Sequence, residues 1–200
     1  MSVQVGQPAP DFTAQAVVDG QFEEIRLSSY RGKNVLLFFW PLDFTFVCPT
    51  EIVAFSEVAP QFAERNTVLL GASVDSQFTH LAWQHKPRAE GGVGKINFPM
   101  ISDLPREISR NYGVLIENAG VALRGLFLID TKGVVRHMLI NDLPLGRSVD
   151  EALRMVDALQ HFEKHGEVCP ANWKLGTKGM KADVEGAKSY FKEWGTKPSK

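Results

Sequence analysis

The chain has 200 residues, enough for one substantial core, and its 44% hydrophobic and 22% charged content is that of an ordinary globular domain. A formal net charge of −1 gives no broad attraction to nucleic acid or to an anionic membrane surface, and no run approaches the ~20 apolar residues that span a bilayer. The tail lysines Lys174, Lys178, Lys181, Lys188, Lys192, Lys197 and Lys200 read as a solvated terminus. Near the start stand Pro8, Pro10, Asp11 and Asp19 with no apolar core, so no secretory signal is expected and the chain is expected in the cytoplasm. In that setting two cysteines, Cys48 and Cys169, point to redox or catalytic use and away from a disulfide scaffold.

Residues 12–18 and 22–27 flank Asp19-Gly20 and predict an N-terminal hairpin. Residues 35–40 are β-branched, aromatic or aliphatic and uncharged, the pattern of a strand buried on both faces, and Pro41 ends it. Beyond Cys48, Ile52, Phe55, Ala59 and Phe62 share one helix face, which predicts a helix over 49–65 that Pro60 should kink near 56–60. A strand over 67–74 and a helix to about residue 86, capped by Ser76, come next. Gly91-Gly92-Val93-Gly94 is a loop without the Gly-Lys-Ser/Thr or strand–loop–helix context of a phosphate cradle. A short extended piece over 97–101 and a short helix around 105–112 lead to a second hairpin, 126–130 and 134–140, across Thr131-Lys132-Gly133. Ser148 then opens a helix to about residue 165, with Val149, Leu153, Val156, Leu159 and Phe162 on one stripe.

This order, with a hairpin in front and no internal repeat, predicts an α/β, thioredoxin-like fold with an N-terminal β-hairpin and an extended C-terminal tail. The expected division is a domain over residues 1-165 and a C-terminal arm over 166-200 that carries Cys169.

Cys48 lies where a loop enters a helix, with Pro49 suited to the first helical position. There it faces unpaired backbone N–H groups and the positive end of the helix dipole, which stabilise a thiolate, the reactive form of cysteine. On the residues alone a buried, inert cysteine is the alternative. Three other classes also stay open. A disulfide exchanger would want an adjacent resolving thiol, a thiol acyltransferase or hydrolase a histidine base, and a chaperone-like module no chemistry at all.

The string Pro41-Leu42-Asp43-Phe44-Thr45-Phe46-Val47-Cys48 resembles the P-x-x-x-T-x-x-C signature of the peroxiredoxins. Glu167-Val168-Cys169-Pro170-Ala171-Asn172-Trp173 resembles the resolving-cysteine motif of their typical 2-Cys subgroup, and the similarity starts at Val5-Gly6-Gln7-Pro8-Ala9-Pro10-Asp11-Phe12. The resemblance implies an antioxidant thiol peroxidase of the alkyl hydroperoxide reductase or thioredoxin peroxidase type. Cys48 would reduce hydrogen peroxide or an organic hydroperoxide and become a sulfenic acid. Cys169 of the partner subunit would condense with it to a disulfide, which thioredoxin or an equivalent disulfide reductase would reopen.

Displacement at a peroxide oxygen needs a hydrogen-bonding partner for the peroxide and positive charge near the leaving oxygen. The resemblance gives these parts to Thr45 and Arg124, lets Pro41 shield the thiolate, and makes Glu51 and Arg147 supports. Without it Thr45 is a turn-capping threonine, Glu51 a first-turn charge, Arg147 a solvated loop residue and Arg124 an exposed strand end. In the expected two-fold homodimer, pairing the edge strand 134–140 with its symmetry mate would remove an exposed edge. The resemblance further suggests a decamer of five dimers with Phe44 near the dimer–dimer contact. Gly91, Gly92 and Gly94, with Tyr190 and Phe191, resemble motifs of the overoxidation-sensitive members, though Val93 stands where leucine is usual. No cofactor is expected, because sulfur carries the redox change. His161 and His165 match neither H-E-x-x-H nor H-x-x-E-H, so no metal is expected either.

Overall fold

The structure is a computed structural model and describes residues 3–196, so Lys197 and Lys200 lie outside it. The predicted hairpin forms as β1 (Thr13–Val18) and β2 (Gln21–Arg26), in register from Thr13↔Arg26 to Val18↔Gln21. Asp19 (φ 47°) and Gly20 (φ 79°) both take the left-handed conformation that a two-residue hairpin turn requires. Then come β3 (Asn34–Phe39), α1 (Cys48–Glu57), α2 (Ala59–Glu64) and β4 (Thr67–Ser73). The helix expected over 49–65 is two helices. It breaks at Val58 (φ −98°, ψ 5°), which places Pro60 in the first turn of α2, where its missing N–H costs nothing. Next are α3 (Gln77–His85), β5 (Met100–Ser102), α4 (Glu107–Asn111), a two-strand ladder of β6 (Leu115–Ile116) and β7 (Val121–Ala122), β8 (Arg124–Ile129) and β9 (Val135–Asn141). Ser76 caps α3 as predicted, its hydroxyl accepting from Thr79 N–H at 3.2 Å.

Seven strands form one sheet in the order β2-β1-β5-β4-β3-β8-β9. β3, β4 and β5 run parallel as neighbours, while β8 and β9 continue antiparallel from β3 and end the sheet at β9. Every residue of β3 is buried, and its alternate side chains serve two cores. Val35, Leu37 and Phe39 join Leu70, Ile101, Ile108, Tyr112 and Phe127. On the other face, Phe38 stacks on Phe55 at 4.5 Å and meets Phe98 edge-on at 5.2 Å. Gly71 makes that close packing possible, since a β-carbon there would sit 2.8 Å from both Phe98 and Trp40 ring atoms.

The chain divides into two compact units, Met1–Val149 and Asp150–Lys200. The first holds the sheet. The second holds nearly all of α5 (Val149–His165), then β10 (Glu167–Val168), β11 (Met180–Lys181) and α6 (Val184–Gly195). Within the second unit α5 is bonded to the tail. Arg154 Nη1 donates to the Trp173 carbonyl at 3.0 Å and Cys169 Sγ to the Ala158 carbonyl at 3.5 Å. Ala152, Leu153, Val156, Ala158 and Leu159 are the buried residues of α5, whereas Phe162 of the predicted stripe is 43% exposed. Among the described residues no helix is long and apolar enough to cross a membrane.

Candidate active site

Cys48 is a free thiol at the first residue of α1, and it is completely buried. β3 delivers the chain to it. Trp40 still donates its N–H to Ala72, but Pro41, also buried, ends the ladder and starts the loop. That loop is braced from within. Trp40 Nε1 donates to Asp43 Oδ1 at 2.8 Å, and Asp43 N–H donates to Asp75 at 2.8 Å. Asp43 Oδ2 lies 2.6 Å from His80 Nδ1, and His80 Nε2 lies 3.1 Å from the Ile101 carbonyl. A carbonyl only accepts, so Nε2 carries a proton, and one further proton is shared between Nδ1 and Asp43. Burial pushes the Asp43 carboxyl up, against the opposing pull of His80. His80 was missed in the sequence. Its one signal was its spacing to Trp83 on the buried side of α3, where both are fully buried.

Arg124, the first residue of β8, is only 3% exposed, so it is not a surface strand-end residue. Its Nη1 lies 3.4 Å from Cys48 Sγ and 2.7 Å from Glu51 Oε2, and its Nε donates to the Leu143 carbonyl at 2.7 Å. Arg147 holds the same carboxylate from the other side. Its backbone N–H and Nε donate to Glu51 Oε1 at 2.7 and 2.8 Å, and Nη2 donates to Oε2 at 2.9 Å. Arg147 Nη1 reaches the Gly125 carbonyl at 2.6 Å, and its guanidinium lies 5.2 Å from the Phe38 ring centroid. Burial pushes the Glu51 carboxyl up, but the Arg147 bonds and both arginine charges outweigh it and hold the group below its ordinary value. Burial also pulls Arg147 down, against Glu51. Two guanidinium charges against one carboxylate leave one positive charge uncompensated beside Sγ. A thiolate, or an oxyanion leaving a peroxide, balances it.

Thr45 is half-buried in the loop and its hydroxyl donates to the Leu42 carbonyl at 2.9 Å. Gly91, Gly92 and Gly94 lie beside α3. Gly91 (φ 81°) offers its carbonyl to Trp83 Nε1 at 2.8 Å, and a β-carbon on Gly92 would meet the Lys86 carbonyl at 1.9 Å. These glycines are required by backbone geometry, with Val93 fully buried between them. In the second unit Cys169 is half-buried just past β10. Tyr190 and Phe191 sit on α6, which buries none of its residues, and Phe191 and Trp194 are mostly exposed. His161 and His165 lie ring against ring, 4.7 Å between centroids.

A thioredoxin-like sheet presenting a buried cysteine at a helix start, faced by an immobilised guanidinium, defines a thiol-based redox enzyme. The model of the AhpC/TSA family matches residues 5–138, and that of the C-terminal domain of 1-Cys peroxiredoxin matches residues 158–193. The chain is 60% identical to peroxiredoxin-2 of Mus musculus over 190 residues, covering 95% of this chain and 96% of the mouse protein. It is 61% identical to peroxiredoxin tpx1 of Schizosaccharomyces pombe over 191 residues, covering 96% and 98%. Reduced 2-Cys peroxiredoxin of Plasmodium vivax superposes with a TM-score of 0.92 at 51% identity, covering 94% of this chain and 98% of that one. AhpC of Enterococcus faecalis gives 0.79 at 35%, covering 85% and 100%. The chain belongs to the AhpC/TSA family as a peroxiredoxin, a thiol-dependent peroxidase.

Proposed function

We propose that Cys48 is the peroxidatic nucleophile and Cys169 the resolving thiol of a typical 2-Cys cycle. The observation that carries this reading is the Arg124 guanidinium held 3.4 Å from Cys48 Sγ by Glu51 and Leu143. The Cys48 thiolate attacks one peroxide oxygen. An S–O bond forms, the O–O bond breaks, and the leaving oxygen takes a proton as water or alcohol. Arg124 balances the negative charge as it moves from sulfur to that oxygen. The Thr45 hydroxyl gives its proton to Leu42, so its oxygen is left to accept from the peroxide O–H. Glu51 and Arg147 are positioning residues, and Pro41 excludes water from the thiolate.

In the second step the Cys169 thiolate of the partner subunit displaces hydroxide from the Cys48 sulfenic acid. Thioredoxin or an equivalent dithiol reductase then returns both thiols. Hydrogen peroxide and organic hydroperoxides both fit this chemistry, and the setting is the cytoplasm. The dimer pairs β9 with its symmetry mate, and five dimers close a decamer through the loop around Phe44. The motifs around Gly91, Gly92, Gly94, Tyr190 and Phe191 make the enzyme prone to overoxidation.

The test is non-reducing electrophoresis after one equivalent of hydrogen peroxide, alongside peroxide consumption coupled to thioredoxin. Cys48→Ser should abolish turnover with the fold intact. Cys169→Ser should still consume the first equivalent but yield no disulfide-linked dimer. A monomer with an internal Cys48–Cys169 bond, or near-normal turnover by Cys48→Ser, would remove the assignment.

A further inference from the structure

Cys169 is half-buried and held against α5. Its Sγ donates to the Ala158 carbonyl of α5 at 3.5 Å, and burial, together with Glu167 and against Arg154, pushes its thiol up from the ordinary value. Such a thiol is a poor nucleophile, since the thiolate is the attacking form. One side chain joins the segments that hold it there. His161 of α5 lies ring against ring with Trp173, 4.8 Å between centroids, and its Nε2 is 3.2 Å from Glu167 Oε2. Glu167 comes just before Cys169 and buried Trp173 just after it, so the imidazole grips the chain on both sides of the thiol. The far strand closes over this grip. A β-carbon on Gly179 would stand 2.6 Å from His161 Nε2 and 2.5 Å from Glu167 Oε2. Trp173 is further fixed by Arg154 on its carbonyl and by its own Nε1–H on Thr177 at 3.1 Å.

We infer that His161 is a positioning residue that clasps the Cys169 segment and so sets the rate of the resolving step. The inference rests on Cys169 being the resolving thiol. In that step the Cys169 thiolate attacks the Cys48 sulfenyl sulfur. The S–S bond forms, the S–O bond breaks, and hydroxide leaves and takes up the proton that Cys169 gave up. Cys169 reaches that sulfur only after leaving the Ala158 carbonyl, and hence after the contacts of His161 with Trp173 and Glu167 open. The clasp therefore opposes resolution and prolongs the sulfenic acid, which gives a second peroxide time to form sulfinic acid.

Reduced protein is mixed with one equivalent of hydrogen peroxide and followed by tryptophan fluorescence in stopped flow, with thiol-blocked samples run on non-reducing gels. His161→Ala should speed the peroxide-independent phase about tenfold, the combined effect of losing a hydrogen bond and an aromatic pair. The peroxide-dependent phase is the internal standard. His161→Phe, which retains the ring contact and loses the bond to Glu167, should fall between wild type and His161→Ala. The sulfinic fraction at fixed peroxide excess should drop in the same order. A resolving phase equal to or slower than wild type in both variants overturns the clasp. Cys169→Ser, run alongside, separates the two ideas. Loss of the second phase there with unchanged His161 variants removes only the clasp, while its survival there removes the resolving-thiol assignment beneath it.

Discussion

Arg124 Nη1 contacts Glu51 and Cys48 Sγ at once, so its orientation is fixed before any peroxide arrives. Fixed charge costs no reorganisation in the transition state, and losing such a group lowers turnover by about 10²–10³. Arg124→Ala should fall by that factor in peroxide consumption while Cys48 still reacts with a thiol-specific label. A rate equal to wild type would leave Arg124 without a role in the chemistry. Glu51→Gln acts differently, because it leaves the buried Arg124 and Arg147 guanidiniums without a counter-charge. Breaking a buried pair from one side costs about 3–5 kcal/mol, which a shift in the urea midpoint measures. Asp43 adds a pH signature. Its carboxyl is held above the ordinary value, so the folded chain binds that proton more tightly than the unfolded one. Its contribution to stability is then complete below about pH 4 and is lost as pH rises through the elevated folded value. Asp43→Asn retains a donor toward His80 Nδ1 and an acceptor for Trp40, and it does not ionise. Urea midpoints from pH 4 to 7 should therefore show the variant gaining on wild type as pH rises. Parallel curves would contradict the Asp43 account.

At the scale of elements, α1 is a ten-residue helix that meets α2 at Val58. In the proposed cycle the buried Cys48, at its first residue, must become accessible for disulfide formation. On the proposed reading that the motif at Tyr190 and Phe191 makes the enzyme prone to overoxidation, α6 slows resolution of the Cys48 sulfenic acid. Deleting residues 183–200 should make turnover more resistant to inactivation at high peroxide. Equal sulfinylation of Cys48 by mass spectrometry with and without the tail would remove α6 from the argument. β9 is the terminal strand at one side of the sheet, and residues Gly6 and Gln7 bond to Val135 at its start, Gly6 N to Val135 O at 2.7 Å and Val135 N to Gln7 O at 3.0 Å. The proposed dimer covers the remainder of that edge, which is where an unpaired strand is a liability.

At the scale of the whole molecule, the sequence by itself determined what short-range chemistry controls. Period-two and period-3.6 patterns placed the hairpins, the buried strand before Cys48 and the start of the helix after it, and the two cysteine motifs marked the sulfurs of the proposed cycle. Pro60 was legible as a disturbance, but the folded chain breaks the helix at Val58 and seats Pro60 in the first turn of α2. Only the tertiary structure decided which charges meet. β3 and β8 are neighbours in register from Val35↔Ile129 to Phe38↔Leu126, and that pairing of distant segments carries Arg124 to Cys48. Glu51 from α1 and Arg147 from the loop after β9 converge on the same point, with two backbone carbonyls, Leu143 and Gly125, that no residue type announces. The same holds for Asp43 with His80 and for His161 with Glu167 and Trp173. A side chain's periodicity states that it is buried. Which partner it is buried against follows from strand order and long-range closure, and those are properties of the folded chain alone.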